Sequence, residues 1–154
     1  MKSLKFSSIV YVGSANWIHP AWNKAFYPDG LPEDWLLPFY NTQFQSVYLP
    51  AYVWQAVSKA VWTQWLNDTQ EGFYFVLEPA AEAVAQPASD RVLLATPEWA
   101  VEHIWWLDES SDLRALAQRM AHQATTGEPL FVFSRSADIG LMQQVNTLRQ
   151  VMGC

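Results

Sequence analysis

An α/β fold, with a parallel sheet of about six strands and helices outside it, is predicted by two features of the chain. Short apolar runs without polar alternation recur along it: Ile9–Val12, Phe44–Leu49, Phe73–Leu77, Val92–Ala95, His103–Leu107 and Leu130–Phe133. Runs of this kind suit strands covered on both faces. Between them lie segments whose apolar residues recur at helical spacing, and such alternation indicates βαβ units with right-handed crossovers.

Taken in order, Ile9–Val12 is a strand ended by Gly13, too short for the apolar core of a signal peptide. Trp35, Leu36, Phe39 and Tyr40 mark a short helix in which Pro38 lies close enough to the start to be tolerated. Phe44–Leu49 is the second strand, and Trp54, Val57, Val61 and Trp65 mark the helix of that unit. Phe73–Leu77 follows as a strand. The segment Pro79–Ser89, alanine-rich and flanked by prolines, reads as a loop with about two helical turns. Two more strands, Val92–Ala95 and His103–Leu107, precede the best-marked helix. There Leu113, Leu116, Ala117, Met120, Ala121 and Ala124 share one face after the Ser110-Ser111-Asp112 cap, and Gly127 supplies the stop. Leu130–Phe133 is the last strand, and Leu141, Val145, Leu148 and Met152 mark a C-terminal helix.

Composition narrows the function classes. A chain of 154 residues is expected to fold as a single domain spanning 1–154, burying roughly 68–70% of its unfolded surface. Fifteen acidic and nine scattered basic residues give a net charge of −6, which offers no footprint for nucleic acid or anionic membranes. No stretch approaches the ~20 apolar residues of a membrane span. The single cysteine, Cys154, excludes an intrachain disulfide and points to a reducing cytoplasm. Nine tryptophans are the unusual feature.

Trp17, Trp22, Phe26-Tyr27-Pro28 and Trp35-Leu36 after Gly13 resemble the opening signature of the YecE-like family, the domain of unknown function seventy-two: G-T-S-G-W-S-Y-P-x-W, then F-Y-P and W-L. Trp35–Val47 is similar to that family's W-L-x-x-Y-x-x-x-F-N-T-V segment, and Trp62, Trp65 and Glu71–Phe75 to its R-W-x-x-x-T-P-x-G-F-x-F segment. Arg91–Trp99 resembles an inner strand ending in H-P-x-W, and Leu113–Met120, Leu130–Phe133 and Gln144–Leu148 resemble the closing elements. The resemblance implies a (β/α)8 barrel. Such barrels typically take about 250 residues, so the expectation is a shortened or incomplete TIM-barrel-like sheet with material missing between Glu78 and Ser111.

The resemblance also implies polar residues at strand ends, and there this chain departs from it. Tyr48 and Pro50 stand where the pattern has the glutamate and asparagine of V-E-I-N, and Glu78 where it has a lysine. Leu93-Leu94-Ala95 replaces E-F-R, Ser134 and Arg135 replace two asparagines, and Gln144 replaces the closing asparagine. Loss of acid, base and cation together implies a scaffold without its former site.

Ligand sites in strand–helix units lie at the C-terminal edge of the sheet. The candidates are therefore Asn16, Trp17, His19 and Trp22 after the first strand, then Tyr48 and Tyr52, Glu78, Asp108 and Glu109, and Arg135. Glu78, Asp108 and Glu109 facing Arg135 would make a charged mouth fit for acid–base work; as a plainer alternative they are solvated loop charges. His19 reads as a brace for its loop rather than a proton carrier. Ser136 or Asp138 reads as a helix cap rather than part of an anion site. Glu98, Glu102 and His103 form no convincing metal set, and neither a metal nor a cofactor is expected.

Trp105 and Trp106, adjacent in a strand, must point to opposite faces, one of them covered by a helix or a second chain. The leading expectation is a non-catalytic interaction or ligand-binding module, homodimeric through an exposed strand edge and tryptophans, with its mouth filled by Trp17, Tyr48 and Tyr52. The alternative is a small hydrolase or isomerase with a rebuilt mouth. A sugar-binding module would show two coplanar exposed indoles.

Overall fold

The computed structural model describes residues 8–80 and 87–154. Six strands form one parallel sheet: β1 (Val10–Ala15), β2 (Ser46–Leu49), β3 (Tyr74–Leu77), β4 (Val92–Leu94), β5 (Ile104–Trp106) and β6 (Leu130–Ser134). Their order is β4-β3-β2-β1-β6-β5. In a closed parallel ring every strand pairs with its successor and the last pairs with the first. Here each of those pairings is present except β4 with β5. The sheet is thus a curled half-barrel, a partial TIM-barrel-like ring opened at one place, where the sequence implies lost material.

Among the described residues six α-helices accompany it: α1 (Leu36–Gln43), α2 (Ala51–Trp54), α3 (Lys59–Asn67), α4 (Pro97–His103), α5 (Leu113–Thr126) and α6 (Ile139–Val151). Side-chain alternation along the strands sorts the core into two clusters. Val10, Val12, Val47, Phe75, Leu77 and Val132 face outward to meet Leu37 and Tyr40 of α1, Trp62 of α3, Leu116 and Met120 of α5, and Met142 and Val145 of α6. Tyr11, Tyr48, Tyr74, Val76, Phe131 and Phe133 face inward, where Trp99 and Ala100 of α4 pack against them. The crossover from β4 to β5 therefore lies on the inner side of the sheet.

Local chemistry sets the helix limits. Asp112 accepts hydrogen bonds from the N–H groups of Arg114 and Ala115, and Gly127 leaves α5 with φ 76°. Thr96 caps α4 with Pro97 in its first turn, and Asp138, not Ser136, caps α6. The helix expected from Trp54 to Trp65 is in fact two, because the chain turns after Trp54 and restarts under a Ser58 cap. His103 closes α4 instead of opening β5, its Nδ1–H donating to Pro129 O at 2.9 Å. The middle of the Pro79–Ser89 segment falls outside the described residues. Among the described residues no helix is long and apolar enough to cross a membrane.

One rung of the central ladder is unusual. Asn16 N–H donates to Tyr48 O at 2.9 Å, and the same pattern two residues earlier would join Ser14 N–H to Ser46 O. Instead the Tyr40 hydroxyl sits between them, accepting from Ser14 N at 2.9 Å and donating to Ser46 O at 2.7 Å. Gly13 makes the room. A Cβ there would lie 1.9 Å from Ser46 O and 2.8 Å from the Tyr40 hydroxyl.

Candidate functional site

The loop after β1 is a packed structural element. Asn16 takes a left-handed conformation, φ 64°, and its Oδ1 accepts from Trp17 N at 2.7 Å and Ile18 N at 3.3 Å. The His19 ring lies against Trp22 with centroids 4.5 Å apart, and its Nε2–H donates to Ala15 O at 2.9 Å. The histidine acts as a brace, as its surroundings suggested. The Trp22 indole N–H donates to Ala137 O at 3.0 Å, which ties this loop to the one after β6. Tyr27 donates to Trp17 O at 2.5 Å, and burial pushes its phenol far above the usual range.

Residues from three strands, β2, β5 and β6, meet at the C-terminal end of the inner face. Tyr48 packs edge-on against Trp106, centroids 4.9 Å apart, and tilts against Phe133 at 5.7 Å. The Arg135 guanidinium carbon lies 3.8 Å from the Trp106 ring centre and 6.0 Å from that of Tyr48. A cation so placed is held by the ring quadrupole with about 0.5–2 kcal/mol, depending on its desolvation. Burial raises the Tyr48 phenol, the Glu78 charge adds to that, and Arg135 opposes it, so these three groups feel one another.

The carboxylates are engaged by backbone. Glu78 Oε1 accepts from Ala51 N at 2.8 Å, at the start of α2, while Glu78 O accepts the Trp54 indole N–H at 2.9 Å. Asp108 takes the N–H of Arg135 on one oxygen and that of Ser136 on the other, the latter at 3.0 Å. Partial burial works to raise the Asp108 pKa, but the hydrogen bonds from Arg135 and Ser136 prevail and hold it below the usual carboxylate range. Glu109 is exposed, and Tyr52 is 77% exposed.

The fold therefore gathers Tyr48, Glu78, Asp108 and Arg135 at one end of the sheet, with Asn16 beside Tyr48. It does not gather Trp17, His19 or Trp22, and the two tryptophans belong to the outer cluster. Two expectations need correction. Trp17 does not fill the mouth, because its indole turns outward onto Trp65. Tyr52 does not fill it either, being on the surface. Trp17 and Trp65 cross at 85° and so form no flat stacking platform. Tyr48 is joined instead by Trp106 and Phe133, neither of which the strand spacing marked as part of the mouth.

Trp105 and Trp106 do point to opposite faces: Trp105 packs on the outer cluster with its indole N–H on Ser110 O at 3.0 Å, and Trp106 packs on the inner one. Among the described residues no group of three or more His, Cys, Asp and Glu side chains is placed to hold a metal ion.

Residues 11–82 match the family described as Protein of unknown function DUF72. The matched span runs from β1 past β3 and includes the aromatic loop, Tyr40, Tyr48 and Glu78. No curated protein and no solved structure matches the chain.

Proposed function

We propose that this chain, whose residues 11–82 match the DUF72 family, is a non-catalytic interaction or ligand-binding module. The observation that carries this reading is the engagement of the mouth's charges by its own structure. Glu78 and Asp108 accept backbone N–H groups, and Arg135 lies on Trp106. An acid–base pair needs a carboxylate within hydrogen-bond reach of a substrate proton and poised near neutrality. Asp108 is displaced the other way, towards permanent ionisation. A second copy of the chain is the proposed partner, meeting it at the sheet edges that β4 and β5 leave unpaired with each other. A reducing cytoplasm suits a chain whose one cysteine is Cys154.

The test is a turnover screen of the purified protein on ester, phosphoester, glycoside and amide substrates, with proton exchange beside a carbonyl followed in heavy water. No turnover above background is expected. Turnover that drops by about tenfold or more in both Glu78→Gln and Asp108→Asn, with the fold intact, would establish the rebuilt hydrolase or isomerase site instead.

A further inference from the structure

The C-terminal end of α4, the second half of α5 and the turn before β6 line a cavity of 380 Å³. It lies at the N-terminal edge of the sheet, the opposite end from Tyr48, Glu78 and Asp108, because His103 directly precedes β5 and Glu128 stands just before β6. Small-molecule sites occupy roughly 300–1,000 Å³ and carry a few convergent polar groups. Here Arg119, His103 and His122 share the walls with Glu102 and Glu128, so both signs of charge meet in one space.

A relay of hydrogen bonds fixes these walls. Pro129 O accepts from His103 Nδ1 at 2.9 Å and from Gln123 Nε2 at 3.1 Å, while Gln123 Oε1 accepts from Arg119 Nε at 2.9 Å. Arg119 Nη2 donates to Glu102 O at 2.8 Å, and the Trp99 ring lies against the imidazole with centroids 4.9 Å apart. His103 and Gln123 are 7% and 5% exposed, so the guanidinium and the imidazole are oriented from inside the fold.

Two bonding capacities are left over. Both anchors of Arg119 are neutral: among the described residues its guanidinium pairs with no carboxylate, and Nη1 has no hydrogen-bond partner. A guanidinium held in this way is suited to receive a carboxylate. The second capacity is at His103. A carbonyl only accepts, so the ring proton is on Nδ1 and the neutral imidazole presents a bare lone pair at Nε2. That atom faces Glu128 Oε1 at 3.8 Å, a second acceptor. Two acceptors across such a gap lack a donor, and an ammonium group supplies N–H bonds to both and a charge to match the carboxylate. Val101, 77% exposed on the same cavity, offers a surface to an aliphatic side chain.

We infer that this cavity binds a small aliphatic α-amino acid as its zwitterion, with the carboxylate on Arg119 and the ammonium between His103 Nε2 and Glu128. The inference gives the binding-module reading a ligand class and rests on that reading for its biological sense. Its residues are separate from Glu78, Asp108 and Arg135, so the two stand or fall by different measurements.

The probes are L-valine and its two single-charge fragments, isovalerate and isobutylamine, titrated into the full chain by calorimetry while the His103 ring protons and the Arg119 Nε–H are followed by NMR. Valine is expected to shift both groups saturably, and each fragment to bind about tenfold more weakly or worse. Arg119→Gln and Glu128→Gln should each weaken valine by about tenfold or more; Glu128 is exposed, so that variant keeps the fold and its thermal midpoint. Glu78→Gln and Asp108→Asn should leave valine binding unchanged, so turnover at the mouth would overturn the non-catalytic reading without touching this one. Fragments that bind as tightly as valine, no saturable shift at His103 and Arg119, or valine affinity unaltered in both cavity variants would overturn the inference.

Discussion

Replacing Tyr40 by Phe removes a single oxygen from the centre of the sheet. That oxygen bridges Ser14 N–H and Ser46 C=O, both on fully buried residues. A buried polar group left without a partner costs about 1–3 kcal/mol. Two are orphaned, so the upper bound is about 6 kcal/mol, and partial closure of β1 onto β2 would recover some of it. We expect a loss of about 3 kcal/mol, a large share of the ~5–15 kcal/mol that stabilises a domain.

For a chain of this length that corresponds to a thermal midpoint lower by roughly 6–12 °C. Urea unfolding gives the free energy, and hydrogen exchange reads the Ser14 amide directly. Tyr52→Phe, on an exposed ring, is the control and should stay within about 0.5 kcal/mol of the parent. Gly13→Ala should be worse than Tyr40→Phe, because its Cβ meets backbone that cannot turn aside. A Tyr40→Phe protein as stable as the parent, with Ser14 still protected from exchange, would refute the bridging role.

Asp108→Asn weakens the charged clamp on the loop after β6 and should speed exchange of the Arg135 and Ser136 amides; because the folded carboxyl is depressed, its contribution is present above the ordinary aspartate pKa and lost as pH falls through the folded value. Protection unchanged in the variant would count against the clamp. At the alkaline end, burial raises the phenols of Tyr27, Tyr40 and Tyr74, the last to about 12. Their stabilisation is full below the unfolded value near 10 and fades above it, so phenolate absorbance should rise together with loss of circular dichroism; six tyrosines titrating near pH 10 in an intact fold would contradict this. Gly127→Ala, at φ 76°, should cost about 1 kcal/mol by calorimetry although nothing crowds the site. Sedimentation at micromolar concentration should show a dimer, and a monomer there would remove the second copy as partner.

The regular elements were legible because their signals are local. Runs such as Phe73–Leu77 and Leu130–Phe133 contain the observed strands to within a residue, and α5 begins and ends at the cap and glycine that mark it. Where an apolar pattern continues through a turn, as from Trp54 to Trp65, periodicity cannot show the break. The site was legible only as a set of positions after strands. Its contacts join residues far apart in the chain: Asp108 reaches Ser136, and Glu78 reaches back to Ala51. No spacing rule encodes those. Trp17 was misplaced for a related reason, since its outward turn is decided by Asn16 in a left-handed conformation and by Trp65 on a later helix. The position facing Tyr40 was misjudged too: Gly13, read as the end of the first strand, lies inside β1 (Val10–Ala15), where a glycine often marks close backbone approach.

The strand order also has a consequence in time. β1 lies between β2 and β6, so a chain emerging from the ribosome can assemble β1 to β4 and still lack the neighbour that completes its first strand. Until Leu130–Ser134 appears, one flank of Val10–Ala15 is a raw edge able to recruit another nascent chain. The centre of the finished sheet is thus the last part to be sealed during synthesis, and slow translation before β6 should favour aggregation more than slow translation after it.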